Sequence, residues 1–168
     1  YQGLDLPPDT LEELRAAARR SDTRRRGASM ASGRMLSKKE LTERLTKKGA
    51  SPDDAAETAD WLEDLGAVDD AAYAGVIVRH YGGMGCGAAR VRQELHRRGV
   101  PKELWDEALE QLPPPQEAIE KFLCAKLRGR PLTPEDSRRL AAALQRRGFS
   151  WQDIRPILNG LGQEIDET

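Results

Sequence analysis

Apolar residues recur along this chain at helical spacing, and three times the run ends in the same phrase: Leu41-x3-Leu45-x-Lys47-Lys48-Gly49, Val91-x3-Leu95-x-Arg97-Arg98-Gly99 and Leu140-x3-Leu144-x-Arg146-Arg147-Gly148. Apolar side chains four apart share a helix face, two cations in the last turn suit the negative end of the helix dipole, and glycine just beyond supplies a left-handed cap. The glycines lie 50 and 49 residues apart, a period that marks tandem copies of one supersecondary unit. The register continues past each glycine: nine, ten and thirteen residues on stand Thr58, Ala59 and Leu62, then Ala108, Leu109 and Leu112, then Ile157, Leu158 and Leu161. Each copy therefore predicts a helix, a glycine turn and a second amphipathic helix.

The stretches between the repeats predict further elements. Thr10-x-x-Glu13 reads as a capping box opening a short helix from 10 to about 20, and Arg24, Arg25, Arg26 and Gly27 then read as a polar joint. Ser37-x-x-Glu40 is a second capping box, and Ser51-Pro52-Asp53-Asp54 starts a helix that should stop at Gly66. Asp69-Asp70 precedes a helix over 70–81 carrying Tyr73, Ala74, Ile77 and Val78. Four glycines in the six positions 82–87 predict a flexible hinge. A phosphate cradle there is the weaker reading, because the Lys and Ser/Thr of a P-loop are absent. Pro113-Pro114-Pro115 is a break, a helix follows through Ile119, Leu123 and Leu127, and Thr133-Pro134 opens the helix that leads to Arg147. An interior proline costs about 3 kcal/mol, so Asp153 rather than Ser150 is expected to cap the last helix, with Pro156 in its first turn. The resulting division is an N-terminal extension over 1–27 and modules over 28–84, 85–113 and 114–168, with helix 70–81 either opening the second module or bridging to it.

Composition narrows the architecture. With 5% aromatic and 33% charged residues, the core must be modest and built of Leu, Ala and Val, which suits an array of mutually supporting modules better than one globule. No apolar run approaches 18 residues, and the start lacks the basic and apolar zones of a secretory signal. A soluble, cytoplasmic chain is expected. The first residue is Tyr1 rather than Met, which leaves room for a longer N-terminus. Charge is uneven: residues 1–50 carry 12 Lys/Arg against 7 Asp/Glu, and residues 51–86 carry 1 against 8. Such a dipolar chain is poorly suited to indiscriminate duplex binding, which needs many phosphates neutralised together.

Catalytic and metal chemistry find little support. His80 and His96 are the only histidines and no nucleophile motif attends them, so no enzymatic activity and no cofactor are expected. Cys86 and Cys124 lack zinc spacing and read as reduced small residues. Asp69-Asp70 reads as a helix cap rather than a metal site. Trp61, Trp105 and Trp151 read as packing residues rather than stacking platforms for bases. The candidate binding residues are cations. The doublets Lys47-Lys48, Arg97-Arg98 and Arg146-Arg147 are either contacts to an acidic partner or charges complementing helix dipoles. Arg90, Arg92, Arg97 and Arg98 form the densest basic surface, either for a partner or as a solvated face with Glu94 paired to Arg90 or Arg98.

With these residues in place the chain resembles the RecX family of bacterial regulators of the RecA recombinase. The resemblance runs through Ser37-x-x-Glu40-Leu41-x3-Leu45-x2-Lys48-Gly49 and Leu65-Gly66-x2-Asp69-Asp70-x2-Tyr73-Ala74. It continues through Arg79 and Gly85-x-Gly87-x2-Arg90-Val91-Arg92-Gln93-Glu94-Leu95-x2-Arg98-Gly99-Val100. Residues 34–112 match well, 117–161 agree in pattern more than in letters, and 1–26 have no clear counterpart. The resemblance implies an all-α, elongated and curved array of three tandem three-helix modules, to which the capping box at Thr10 adds a short helical extension. It also implies a non-enzymatic, monomeric protein that binds RecA and its filament on single-stranded DNA. There it would restrain ATP hydrolysis, strand exchange and repressor self-cleavage, with at most weak direct DNA contact. Arg79 joins the candidate contacts on this ground. A sequence-tolerant DNA-binding protein of helix-turn-helix type is the alternative, and a helical adaptor for an unrelated partner is the third reading.

Overall fold

The computed structural model describes residues 7–163, all in helices, turns and short connections. The helices are α1 (Pro8–Gly33), α2 (Lys38–Lys47), α3 (Pro52–Asp64), α4 (Asp70–Gly83), α5 (Ala88–Arg97), α6 (Trp105–Leu109), α7 (Pro115–Leu127), α8 (Pro134–Arg146) and α9 (Trp151–Gln163), with a 3-10 turn (Lys102–Leu104) leading into α6. The chain divides into two compact units, one up to Tyr73 and one from Ala74 onward, so the division falls inside α4. In the first, α1, α2 and α3 pack pairwise around Leu36, Leu41, Leu45, Ala59, Leu62 and Val68. In the second, α5 packs on α6 and α9 packs on both α7 and α8. Ile119, Leu123, Leu140, Leu144, Phe149 and Ile154 form a core there, while Ile77, Val78, Val91, Leu95, Val100 and Ala108 are also buried.

The repeated phrase is a helix-ending device. Gly49, Gly99 and Gly148 have φ of 96°, 73° and 97°, a region that a side chain rarely adopts. In each case the residue after the glycine returns its N–H to the carbonyl of the last leucine: Ala50 to Leu45 at 3.1 Å, Val100 to Leu95 at 3.0 Å and Phe149 to Leu144 at 3.2 Å. The glycine N–H groups bond to Thr46, His96 and Gln145. This pair of reversed bonds is the Schellman motif, and the apolar residue after the glycine customarily packs back on the helix. Val100 and Phe149 are buried accordingly. The N-termini follow the sequence as well: Ser37 and Glu40 form a reciprocal capping box, and Ser51 and Thr133 accept from Asp54 and Asp136.

Three expectations are corrected. First, α1 is continuous from Pro8 to Gly33, Pro7 stands at its cap, and Thr10 lies inside the first turn. Arg25 and Arg26 do not interrupt the helix, because each reaches back one turn to Asp22, at 2.7 and 2.8 Å. Gly27 is buried, and a Cβ there would stand 2.7 Å from Thr58 Cγ2. The glycine thus lets α1 approach α3 rather than ending the helix.

Second, the glycine-rich stretch is a seam and not a hinge. Gly85 (φ 76°) ends α4 as another left-handed cap, and Gly87 occupies the N-cap of α5, where it can offer no side chain to the first N–H groups. Backbone replaces it: Gly87 N–H donates to the Arg147 carbonyl at 2.9 Å and Ala89 N–H to the Gly148 carbonyl at 3.1 Å. The orphan donor that a Ser or Asp cap would satisfy, Ala89 N–H, is satisfied instead by the turn that ends α8. A Cβ on Gly87 would lie 2.4 Å from Gly148 O, and one on Gly148 would lie 2.4 Å from Arg90 N. The same bonds occupy the donors that a phosphate cradle would need. Third, Ser150 caps α9, with Asp153 N–H donating to its Oγ at 3.2 Å and the hydroxyl donating to Asp153 at 2.7 Å. Pro156 therefore lies inside the helix, which the burial of Ile154 and Leu158 sustains across the missing bond.

The seam makes opposite demands on two glycines. Gly87→Ala is expected to destabilise the chain by about 1–3 kcal/mol through forced separation of two backbones. Gly160, inside α9 with nothing within 4 Å of an added Cβ, should gain about 0.5–1 kcal/mol on substitution by Ala. Urea unfolding followed by circular dichroism measures both, and equal effects would refute the seam.

Candidate functional site

In the first unit the uneven charge of the sequence is partly neutralised in space. Arg24 of α1 reaches Glu57 of α3 at 3.3 Å, and Lys38 at the start of α2 reaches Asp60 at 2.7 Å as well as Glu63. Hydrogen bonds to Asp60 and Glu63 hold the Lys38 ammonium well above its usual range. Arg24 also lies over the Trp61 ring at 5.3 Å. Asp69 caps α4 through Ala72 N–H at 2.9 Å, and buried Asp70 accepts from Lys38 N–H at 2.9 Å. Burial, aided by the charges of Glu63 and Asp69, pushes the Asp70 carboxyl upward. Lys47 and Lys48 stand exposed at the end of α2, where the Lys48 carbonyl accepts from Arg26 Nη1 at 3.1 Å.

In the second unit the candidate arginines separate into two kinds. Glu94 is 5% exposed and is held by Arg97 through Nη2 at 2.7 Å and Nε at 3.0 Å, and by Arg90 at 3.4 Å. Burial works against its charge, but hydrogen bonds from Arg97 and Tyr81 and the charges of Arg97 and Arg90 outweigh it, so the carboxyl titrates below its ordinary range. Arg90 and Arg97 thus serve a buried carboxylate of their own helix. Arg79 is engaged too, donating to Gln111 Oε1 at 2.6 Å. Arg92 and Arg146 are exposed, and neither side chain makes a hydrogen bond or ion pair within the described residues. Arg98 is half-buried at the C-cap of α5, and Arg147 lies over the Phe122 ring at 4.7 Å.

Val91 and Leu95 face the core and are fully buried, as their spacing predicts. Glu94 pairs with Arg90 at the anticipated spacing, and its second partner is Arg97 at i+3. Tyr81 is the member that sequence reading missed, because it comes from α4 and no periodicity links it to α5. Trp105 donates Nε1 to the Val100 carbonyl at 3.0 Å, whereas Trp151 is half-exposed. Cys86 and Cys124 are free thiols. Among the described residues no helix is long and apolar enough to cross a membrane, and no three His, Cys, Asp or Glu side chains are grouped to hold a metal ion.

A family model for the second three-helix domain of RecX matches residues 69–109, the stretch that contains the Glu94 cluster. Regulatory protein RecX of Chromohalobacter salexigens is 36% identical over 123 residues, which cover 73% of this chain and 81% of that protein. Regulatory protein RecX of Streptomyces coelicolor is 30% identical over 169 residues, covering 96% and 85%. The chain belongs to the RecX family. Its all-helical fold is similar to the crystal structure of RecX from Lactobacillus salivarius, with a TM-score of 0.73 and 20% identity across 90% of this chain and 99% of that one. A second crystal structure of regulatory protein RecX gives a TM-score of 0.80 at 20% identity over 95% and 81%. The relatives are named as regulatory proteins, and the RecX-like stretch from α4 to α6 is where a carboxylate organises the arginines.

Glu94 gives this RecX-family chain a pH dependence of known sign. Its folded pKa lies below the unfolded value of about 4.3, so its stabilisation is present above that pH and is lost as pH falls through the folded pKa. Asp70, displaced upward, works in the opposite direction and loses its contribution as pH rises. The urea midpoint of the wild type should therefore exceed that of Glu94→Gln at pH 7, with the gap closing between about pH 5 and 3. A gap independent of pH would rule out a charged Glu94 as its source.

Proposed function

We propose that this chain binds the RecA recombinase and its filament on single-stranded DNA, and restrains ATP hydrolysis, strand exchange and support of repressor self-cleavage. The observation that carries the reading is kinship across nearly the whole chain with proteins named regulatory protein RecX. The protein acts as a monomer in the cytoplasm, without catalysis of its own. Its helices fall into three modules over 28–84, 85–113 and 114–168, and the extension 1–27 joins the first of them through the continuous helix α1. Successive modules touch successive recombinase protomers, and their weak contacts add through effective concentration.

Not all nine proposed cations contribute alike. Lys47, Lys48, Arg92 and Arg146 are the direct contacts, since their side chains are exposed and engaged by no ion pair among the described residues. Arg90 and Arg97 contribute through the shape they give α5, Arg79 through its hold on Gln111, and Arg98 and Arg147 from half-buried or stacked positions. Reversing Arg97 would place a second carboxylate beside Glu94, so it tests folding before it tests binding.

The decisive assay is single-stranded-DNA-dependent ATP hydrolysis by RecA from the same organism, titrated with this protein before and after filament assembly. Wild-type protein should inhibit, and Lys47→Glu/Arg92→Glu/Arg146→Glu should require at least about tenfold more protein, equivalent to about 1.4 kcal/mol of lost contact, with an unchanged circular dichroism spectrum. Wild-type potency in the triple variant would remove these cations from the interface. Tight, steeply salt-dependent binding to bare DNA would favour the helix-turn-helix reading instead.

A further inference from the structure

We propose that the cleft between the Gly82–Gly85 turn and α7 is a docking site for an acidic protein segment bearing an apolar anchor residue. The site lies wholly within the second unit and goes beyond the recombinase reading. Its occupant is defined by chemistry, and Lys121, Phe122, Lys126 and Met84 in its lining belong to none of the repeated cation doublets, Arg147 alone being shared with them.

The cleft has a volume of about 490 Å³ and an apolar floor that includes Phe122 and Ala125. Met84, just past the end of α4, stands at its lip and is 58% exposed, a large apolar side chain left to solvent. Three cations surround this apolar surface. Arg147 lies over the Phe122 ring at 4.7 Å, Lys126 lies over it at 5.7 Å, and Lys121 belongs to the same lining. None of the three forms an ion pair among the described residues, and Glu117 is the one carboxylate in the lining. Three cations against one carboxylate, beside an exposed apolar side chain, call for a partner that brings carboxylates and an apolar group together.

The arrangement is held in advance. The Arg147 carbonyl is bonded to Gly87 N–H, and its guanidinium passes close to the turn, with Nη1 3.4 Å from where a Cβ on Gly85 would stand. A guanidinium laid on an aromatic ring keeps its edge donors available for a carboxylate, in the planar geometry that suits bidentate pairing. Little ordering remains to be done on binding. The same stacking argues against a nucleic-acid strand: a base platform needs an open ring face, and cations already lie over Phe122. Three cations also neutralise too few phosphates for firm strand binding.

The test uses the full chain and no recombinase, so its outcome is independent of the ATP hydrolysis assay. A fluorescein-labelled twelve-residue peptide, with Leu and Phe flanked by Asp and Glu, is titrated by fluorescence anisotropy. A second peptide with Asn and Gln at the acidic positions and an oligo(dT) of matched length are the comparisons. The acidic peptide should saturate, weaken with salt, and lose about tenfold in affinity with Lys121→Gln/Lys126→Gln and again with Met84→Ala. Arg138→Gln/Arg155→Gln, which removes two charges from the same unit outside the cleft, should leave binding unchanged. No saturation up to about 1 mM, equal binding of the uncharged peptide, or preferential binding of oligo(dT) that the cleft variants abolish would each overturn the proposal.

Discussion

Short helices need defined ends. α2 and α5 are 10 residues each, below the length at which an isolated helix persists in water, so each exists only while its apolar face is buried and its terminal carbonyls are satisfied. The left-handed glycine meets both needs. It turns the chain back so that two N–H groups close the last turn, and it delivers the next residue to the helix it has just left. Everything downstream of each glycine, including where the following helix starts, inherits its direction from that reversal. A chain this poor in aromatic residues has few large side chains with which to correct a badly aimed turn.

What the sequence made legible was local. Caps at Ser37, Ser51 and Thr133, the inward face of Val91 and Leu95, and the reversed ends at Gly49, Gly99 and Gly148 all depend on residues within a turn or two of one another. What it concealed was the neighbour. Gly27 and Gly87 look like freedom in a sequence, because glycine signals conformational latitude, yet both are places where another element comes close. The partner of Gly87 lies 61 positions away at Gly148, and no local pattern joins them. Ser150 is hidden as a cap for the opposite reason: the cost of Pro156 is plain in the sequence, and the burial of Ile154 and Leu158 that offsets it is not.

The candidate site shows the same division. A sequence presents Arg90, Arg92, Arg97 and Arg98 with equal weight, and the structure sorts them by what they face. One buried carboxylate recruits two of the four, so a basic patch by count becomes an ion cluster anchored on Glu94, with its guanidiniums at the surface, beside an exposed cation that has no partner among the described residues. Electrostatics in the first unit follow the same course, with α1 and α2 supplying cations to the acidic face of α3. Net charge along the chain is a poor guide to surface charge when the oppositely charged stretches pack together.

The repeating glycine has unequal histories ahead of it. An added Cβ at Gly49 meets nothing within 4 Å, while one at Gly148 meets Arg90 and Gly87. Asn, which tolerates the left-handed region, is an available replacement at the first position and a closed route at the second. The turn at Gly148 cannot be exchanged, deleted or shuffled without also rewriting the start of α5, and the seam makes the end of α8 and the start of α5 a single heritable unit.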